Sequence, residues 1–201
     1  MGERDAFLRA AWRVLVAGKL DARELVFVDE MGTHTSLARL YGYSPRGERV
    51  HLEVPRNRGK NTTLIASMSA GGMGKCLAVE GAITKVLFEA YVERVLTPSL
   101  RIGQVVIMAN LSAHKGEKVK KLIEARGCKL VFLPPYAPDL NPIEEALSKI
   151  KGLLRKTAAR TREALIKALG AAISAVSATD ALSFFDHCGY RYPVNPLCIE
   201  P

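Results

Sequence analysis

Apolar residues along the chain fall into short continuous runs that alternate with stretches spaced three to four residues apart. Short runs bounded by turn residues read as buried strands, and the helical spacing reads as one-sided helices. Leu8, Ala11, Trp12 and Leu15 share a helical face, so residues 6–20 are expected as an N-terminal amphipathic helix. Glu24 to Val28 (ELVFV) reads as a first strand that stops at Asp29 and Glu30. Residues 37–60 hold two mixed segments around Ser44-Pro45-Arg46-Gly47 and are expected as an exposed, arginine-rich hairpin insertion. Thr62 to Ser69 and Lys75 to Glu80 flank Gly71-Gly72 and read as a second hairpin of inner strands.

Thr84 can cap a helix whose Phe88, Val92 and Val95 face inward, with Pro98 just past its end. Gln104 to Met108 (QVVIM) and Lys129 to Leu133 (KLVFL) are further strands. Between them lies a basic helix through Val119, Leu122 and Ile123 that Gly127 can stop. Asn141 can cap, and Pro142 can open, a helix reaching Lys156 with Ile143, Leu147, Ile150 and Leu154 inward. Thr161 starts another helix, and a short helical turn near Phe184 precedes a proline-containing tail. The order of three strands, helix, strand, helix, strand predicts an α/β domain over residues 24–190, with a helical appendage at 1–23 and a tail at 191–201.

Two hundred and one residues suffice for one domain with a sizeable core. Lys and Arg number 29 against 20 Asp and Glu, a net +9 that favours a polyanionic partner, nucleic acid first. An anionic membrane is the competing partner, but the apolar runs are far too short to span and no signal pattern opens the chain. Cys76, Cys128, Cys188 and Cys198 have neither zinc-ligand spacing nor a disulfide pattern. A reducing cytoplasmic location is expected.

Strands of an α/β sheet deliver ligand-binding groups at their carboxyl ends, so Asp29, the position after Met108 and the helix beginning at Asn141 are candidates to converge. Acids from separate elements can hold two divalent ions about 3.5–4 Å apart for phosphodiester chemistry, and oxygen-only donors favour magnesium or manganese. Each candidate also has a plain structural reading. Asp29 can simply end a strand, and Asn141-x-x-Glu144 has the spacing of a capping box. Glu145 competes with Glu144, and Glu30 should face the opposite side of the strand from Asp29.

VFVDE at 26–30, VVIMANLSAHK at 105–115 and LPPYAPDLNPIEEALSKIK at 133–151 resemble the three motif blocks of the Tc/mariner superfamily of Asp-Asp-Glu transposases, in its bacterial insertion-sequence branch. SPRGER at 44–49 is similar to that branch as well. The resemblance runs from Leu25 to Tyr190 and is most specific in PYAPDLNPIE. It implies a ribonuclease-H-like fold with a mixed five-stranded sheet flanked by helices. It also implies metal-dependent cleavage at transposon ends and transfer of the freed 3′-hydroxyl to target DNA. By position the first acid is Asp29 and the last is Glu144, the two metal-binding residues, with a two-metal magnesium or manganese site expected in an active form. The second acid belongs at Ala109, where the resembled block reads Met-Asp-Asn and this chain reads Met108-Ala109-Asn110. Thirty-four residues, 110–143, separate that position from Glu144, the spacing of the branch. The register is therefore kept while the ligand is lost, through engineering or natural decay.

Lys149, Lys151, Arg155, Lys156, Arg160 and Arg162 follow Glu144 with no acid among them over 149–162. Glu144, Ser148, Lys151 and Arg155 lie on one helical stripe, a candidate phosphate track into the site. Arg56, Arg58 and Lys60 extend the expected DNA-contacting set, and His114 and Lys115 are further candidates to reach a phosphate. The plain reading of such a run is a solvated face.

The expected partners are DNA, as transposon ends and target, with a homodimer as a further possibility and no membrane. Cytoplasmic location in a bacterium, on the nucleoid when DNA-bound, goes with them. The resemblance implies a helix-turn-helix module ahead of the domain, yet only Met1 to Val28 precede Asp29. That module is expected either on a separately encoded upstream frame or removed from this polypeptide. Two rival functions remain, a DNA-holding derivative that does not cut, favoured by Ala109, and another ribonuclease-H-like nuclease, disfavoured by the NPIE block.

Overall fold

A computed structural model describes residues 5–57, 59–110 and 115–191. Five strands form one sheet: β1 (Leu25–Thr33), β2 (Thr62–Ser69), β3 (Gly72–Glu80), β4 (Val105–Met108) and β5 (Lys129–Phe132). Their spatial order is β3-β2-β1-β4-β5. The β2–β3 hairpin turns at Gly72, whose φ of +118 suits glycine, and pairs antiparallel to β1, whereas β4 and β5 add in parallel on the other side. Parallel neighbours need a crossover, and α2 (Lys85–Tyr91) and α3 (Glu117–Glu124) supply it.

Alternation along the strands sorts the core into two layers. Leu25, Phe27 and Met31 of β1 and Ile107 of β4 face α4 (Pro142–Thr157), α5 (Arg162–Ser174) and α6 (Ala178–His187). Val26, Val28, Val106 and Met108 pack instead with Phe88, Val92, Val119 and Ile123 on the α2/α3 side. Helix α4 buries Ile143, Leu147, Ile150 and Leu154, the stripe its spacing predicts. Helix α6 is longer than the expected single turn because Ser177 and Asp180 close a reciprocal capping box at its start.

Three expectations need correction. Strand β1 does not end at Asp29 but continues to Thr33, since its antiparallel ladder with β2 runs from Val26 to Thr33 while the parallel pairing with β4 stops at Val28 and Met108. The N-terminal helix α1 (Ala6–Trp12) widens into a π turn over Arg13–Ala17, which shifts the buried stripe to Trp12 and Ala17 and leaves Leu8 and Leu15 exposed. The arginine-rich insertion keeps its turn, where the Glu48 N–H donates to the Pro45 carbonyl at 3.1 Å, but no described residue from 34 to 60 is in a strand. Tyr41, Tyr43, Val50 and Leu52 there are largely exposed, so no apolar face exists for a ladder to bury. Among the described residues no single helix is long and apolar enough to cross a membrane.

Candidate active site

Asp29, Ala109, Asn110, Asn141 and Glu144 line one cavity of about 410 Å³ whose other wall is the Leu133–Pro138 segment. Its position follows from the sheet. The parallel pairing of β1 with β4 ends at Val28 and Met108, so Asp29 and Ala109 are each the next residue and stand side by side. Both share the parity of Phe27 and Ile107, which face α4. The first turn of α4 carries Glu144 to the same edge. Glu30, of opposite parity, belongs to the other face, as expected.

The Asp29 side chain is held from two directions. Its Oδ1 accepts from the Glu30 backbone N–H at 2.8 Å, and its Oδ2 accepts from Asn141 Nδ2 at 2.7 Å. Burial pushes its carboxyl up to about 6; the Glu30 N–H pulls it down, the Glu144 carboxylate pushes it up, and the Asn141 amide lowers it again. Asp29 is only 7% exposed, so a negative charge there is poorly solvated. A buried acid beside a second acid is a donor pair that fits a divalent cation, which relieves both the desolvation and the repulsion. Asp29 and Glu144 are the acids available, and among the described residues no cluster of three His, Cys, Asp or Glu side chains completes the set. Ala109 lines the same cavity and offers only a methyl group.

The structure separates Glu144 from its neighbour. Glu145 Oε1 lies 2.6 Å from His187 Nδ1 on α6, turned away from the cavity that Glu144 lines. The capping-box reading of Glu144 fails as well, because Asn141 makes no side-chain cap and directs its amide to Asp29. That bond was not anticipated from the sequence, where Asn141 reads as an ordinary cap. Asn110, also unanticipated, presents a buried Oδ1 with no hydrogen-bond partner among the described residues. Tyr136 on the opposite wall has a left-handed backbone, φ +53, rare for an aromatic residue.

The basic residues divide into two groups. Lys149 Nζ contacts Asp180 Oδ2 at 2.6 Å, Lys60 Nζ contacts Glu80 Oε1 at 2.6 Å, and Arg162 pairs with the same Glu80. Arg160 Nη1 donates to the carbonyls of Thr35 and Leu37, both at 2.9 Å, and so holds the start of the insertion. These four cations, expected on DNA, already have partners inside the fold. Arg56, Lys151, Arg155 and Lys156 form no ion pair among the described residues. Lys115 is exposed just ahead of α3 and does not line the cavity. Arg58, His114 and the tail from residue 192 onward lie outside the described residues.

Solved structures share this architecture. The Mos1 strand transfer complex matches with a TM-score of 0.73 at 18% identity, covering 94% of this chain and 60% of that one. The Mos1 mariner paired end complex with Mn gives 0.73 at 16%, with 94% and 60% covered. The Mos1 transposase catalytic domain with raltegravir and Mg gives 0.68 at 14%, with 96% and 98% covered. The chain thus spans about 60% of the Mos1 chains in the strand transfer and paired end complexes. At these identities the likeness establishes the fold, the ribonuclease-H-like mixed sheet flanked by helices. No curated protein sequence matches the chain. Residues 24–166 match the model of the DDE superfamily endonuclease family, well over half of the chain, and the protein belongs to that family.

Proposed function

We propose that the chain is the catalytic domain of an insertion-sequence DNA transposase, acting on transposon ends and target DNA, with its chemical step disabled by Ala109. The observation that carries this reading is the meeting of Asp29, Ala109 and Glu144 at one cavity in a family of DDE endonucleases. Similar structures include a Mos1 strand transfer complex and Mos1 transposase structures with magnesium or manganese, which supports the same chemistry here. A divalent cation bound at this edge supplies Lewis-acid activation of a water or 3′-hydroxyl and of the leaving oxygen. Asp29 and Glu144 are its protein ligands in this reading. Asn141 and the Glu30 N–H orient the Asp29 carboxylate, and the segment from Leu133 to Pro138 forms the facing wall of the cavity. The methyl of Ala109 offers no oxygen, so metal occupancy and nucleophile alignment both suffer.

Ala109 also favours a second reading, a derivative that holds DNA without cutting it. Lys151, Arg155, Lys156 and Arg56 serve as backbone contacts in either case, and a separately encoded helix-turn-helix module and a homodimer are the partners this reading includes. The test is cleavage of labelled transposon-end DNA with the recognition module supplied, in magnesium, manganese or chelator. Ala109→Asp should cleave where the parent does not, and Ala109→Asp with Glu144→Gln should lose that gain. Equal, chelator-insensitive cleavage by all three proteins would refute the acid assignment, and metal-dependent DNA binding without cleavage in Ala109→Asp would favour the holding role.

A further inference from the structure

We propose that Asn141 is a positioning residue for the metal site, fixing the Asp29 carboxylate and tying the strand that carries it to the helix that carries Glu144. The inference rests on the reading of Asp29 and Glu144 as metal ligands and adds to it a residue that touches neither cation nor DNA.

Asn141 occupies the position just before α4, where an asparagine ordinarily turns its side-chain oxygen to an amide of the first turn. Here that bond is absent. Pro142, next in the chain, has no N–H to satisfy, which lowers the demand for a cap. The helix start is closed through the backbone: the Glu144 N–H donates to the Asn141 carbonyl at 3.0 Å, and the Asn141 N–H donates to the Pro138 carbonyl at 3.0 Å. The side chain is thereby released from capping, and its Nδ2 donates to Asp29 Oδ2 at 2.7 Å across 112 residues of sequence.

Two features separate positioning from mere packing. The residue is 3% exposed, yet its Oδ1 is buried with no partner among the described residues. Burying an amide oxygen unpaired costs free energy, so what this asparagine contributes is the bond its Nδ2 makes to the Asp29 carboxylate. The second feature is the division of labour on Asp29. One donor per oxygen, from Glu30 N–H and Asn141 Nδ2, fixes the carboxylate plane while each oxygen keeps a lone pair for a cation. Because Glu144 stands three residues after Asn141, the same bond sets where the two acids lie relative to each other. Hydrogen bonds of this kind to a ligating carboxylate change metal affinity by about 10–100-fold when removed.

The experiment is Mn²⁺ titration followed by electron paramagnetic resonance, on the parent chain and on Ala109→Asp, each with and without Asn141→Leu. Asp29→Asn marks the site. Asn141→Leu should weaken Mn²⁺ binding about tenfold or more and broaden the bound-ion spectrum, in a protein whose circular dichroism in chelator still shows the native fold. Asn141→Ser provides the same comparison should leucine prevent folding. Binding abolished by Asp29→Asn but unchanged in affinity and spectrum by both Asn141 variants overturns the positioning role alone. Mn²⁺ binding that ignores Asp29→Asn, or is absent from parent and Ala109→Asp alike, overturns the metal-site reading and this inference together.

Discussion

The indole N–H of Trp12 donates to the Tyr190 hydroxyl at 2.9 Å, and that hydroxyl donates in turn to the Leu140 carbonyl at 2.7 Å. One buried phenol thus joins the N-terminal helix, the end of the described chain and the residue directly before Asn141. Its ring packs edge-on against Phe27, centroids 5.0 Å apart, two residues before Asp29 on β1. Tyr190→Phe keeps the ring contact but leaves Trp12 Nε1 and the Leu140 carbonyl without this partner. The variant should be about 1–3 kcal/mol less stable in chemical denaturation. Trp12 is the only tryptophan, so its fluorescence reports the same site. A change within about 0.5 kcal/mol, the range of an ordinary surface substitution, would mean that water replaces the phenol without loss.

The parts of the fold legible in the sequence were those set by local periodicity. The α4 stripe, the Gly71-Gly72 hairpin and the two parallel strands each carry their own pattern, and all are present. The far half of β1 is illegible because Asp29 and Glu30 look like a strand's end, although Asp29 is buried for a site rather than exposed at a turn. The insertion misleads in the opposite sense, since its mixed residues resemble strands but face solvent. Within the site, motif and register indicate Asp29, Ala109 and Glu144. Asn141 is missed because a cap and a carboxylate donor are the same residue type at the same helix position. The pairing of Lys149 with Asp180 and of Arg162 with Glu80 joins elements distant in sequence, so composition alone assigns those cations to DNA.

Stability in chelator should fall as pH rises through the Asp29 window. Its carboxyl is raised from an ordinary 3.8 to about 6, so both states are protonated below that range. Between the two values the unfolded chain releases its proton while the folded chain keeps it, and stability drops with rising pH. Above about 6 the full penalty is present, on the order of 3 kcal/mol at about 1.4 kcal/mol per pKa unit. Asp29→Asn should remove that decline, so the difference in urea midpoint between variant and parent should widen from pH 4 to pH 7. A constant difference over that range would show that Asp29 ionises normally in the folded protein.

Ala109→Asp should be less stable than the parent in chelator and gain more from metal. The new carboxylate joins Asp29 and Glu144 at one cavity, and like charges disfavour one another's ionisation. A further rise of one unit in the Asp29 pKa corresponds to about 1.4 kcal/mol at neutral pH. Manganese at a hundred times its dissociation constant returns about 2.7 kcal/mol, so the order of melting temperatures should narrow or reverse on adding it. Melting curves at pH 7 with chelator and with Mn²⁺ test this. An equal metal response in both proteins would place any bound Mn²⁺ away from residue 109.

The salt dependence of DNA binding should separate the unpaired cations from the paired ones. Lys151 and Arg155 continue the helical stripe that begins at Glu144, and neither has an ion-pair partner among the described residues. Lys149, one position from Ser148 and off that stripe, is held by Asp180 on α6. A phosphate contact displaces condensed counterions, and each one lost lowers the magnitude of the log–log salt slope by about 0.9. Lys151→Ala with Arg155→Ala should therefore flatten the slope by about 2 on duplexes of any sequence, because backbone contacts carry no base information. Lys149→Ala should leave the slope unchanged, since that ammonium already neutralises a carboxylate and its removal exposes an unpaired Asp180. Fluorescence anisotropy from 50 to about 200 mM salt, a range over which such contacts alter affinity by orders of magnitude, resolves the two cases. Equal flattening by the double variant and by Lys149→Ala would point to the net charge of the whole domain. A slope left unchanged by the double variant would show a solvated face, with DNA entering the cavity along another path.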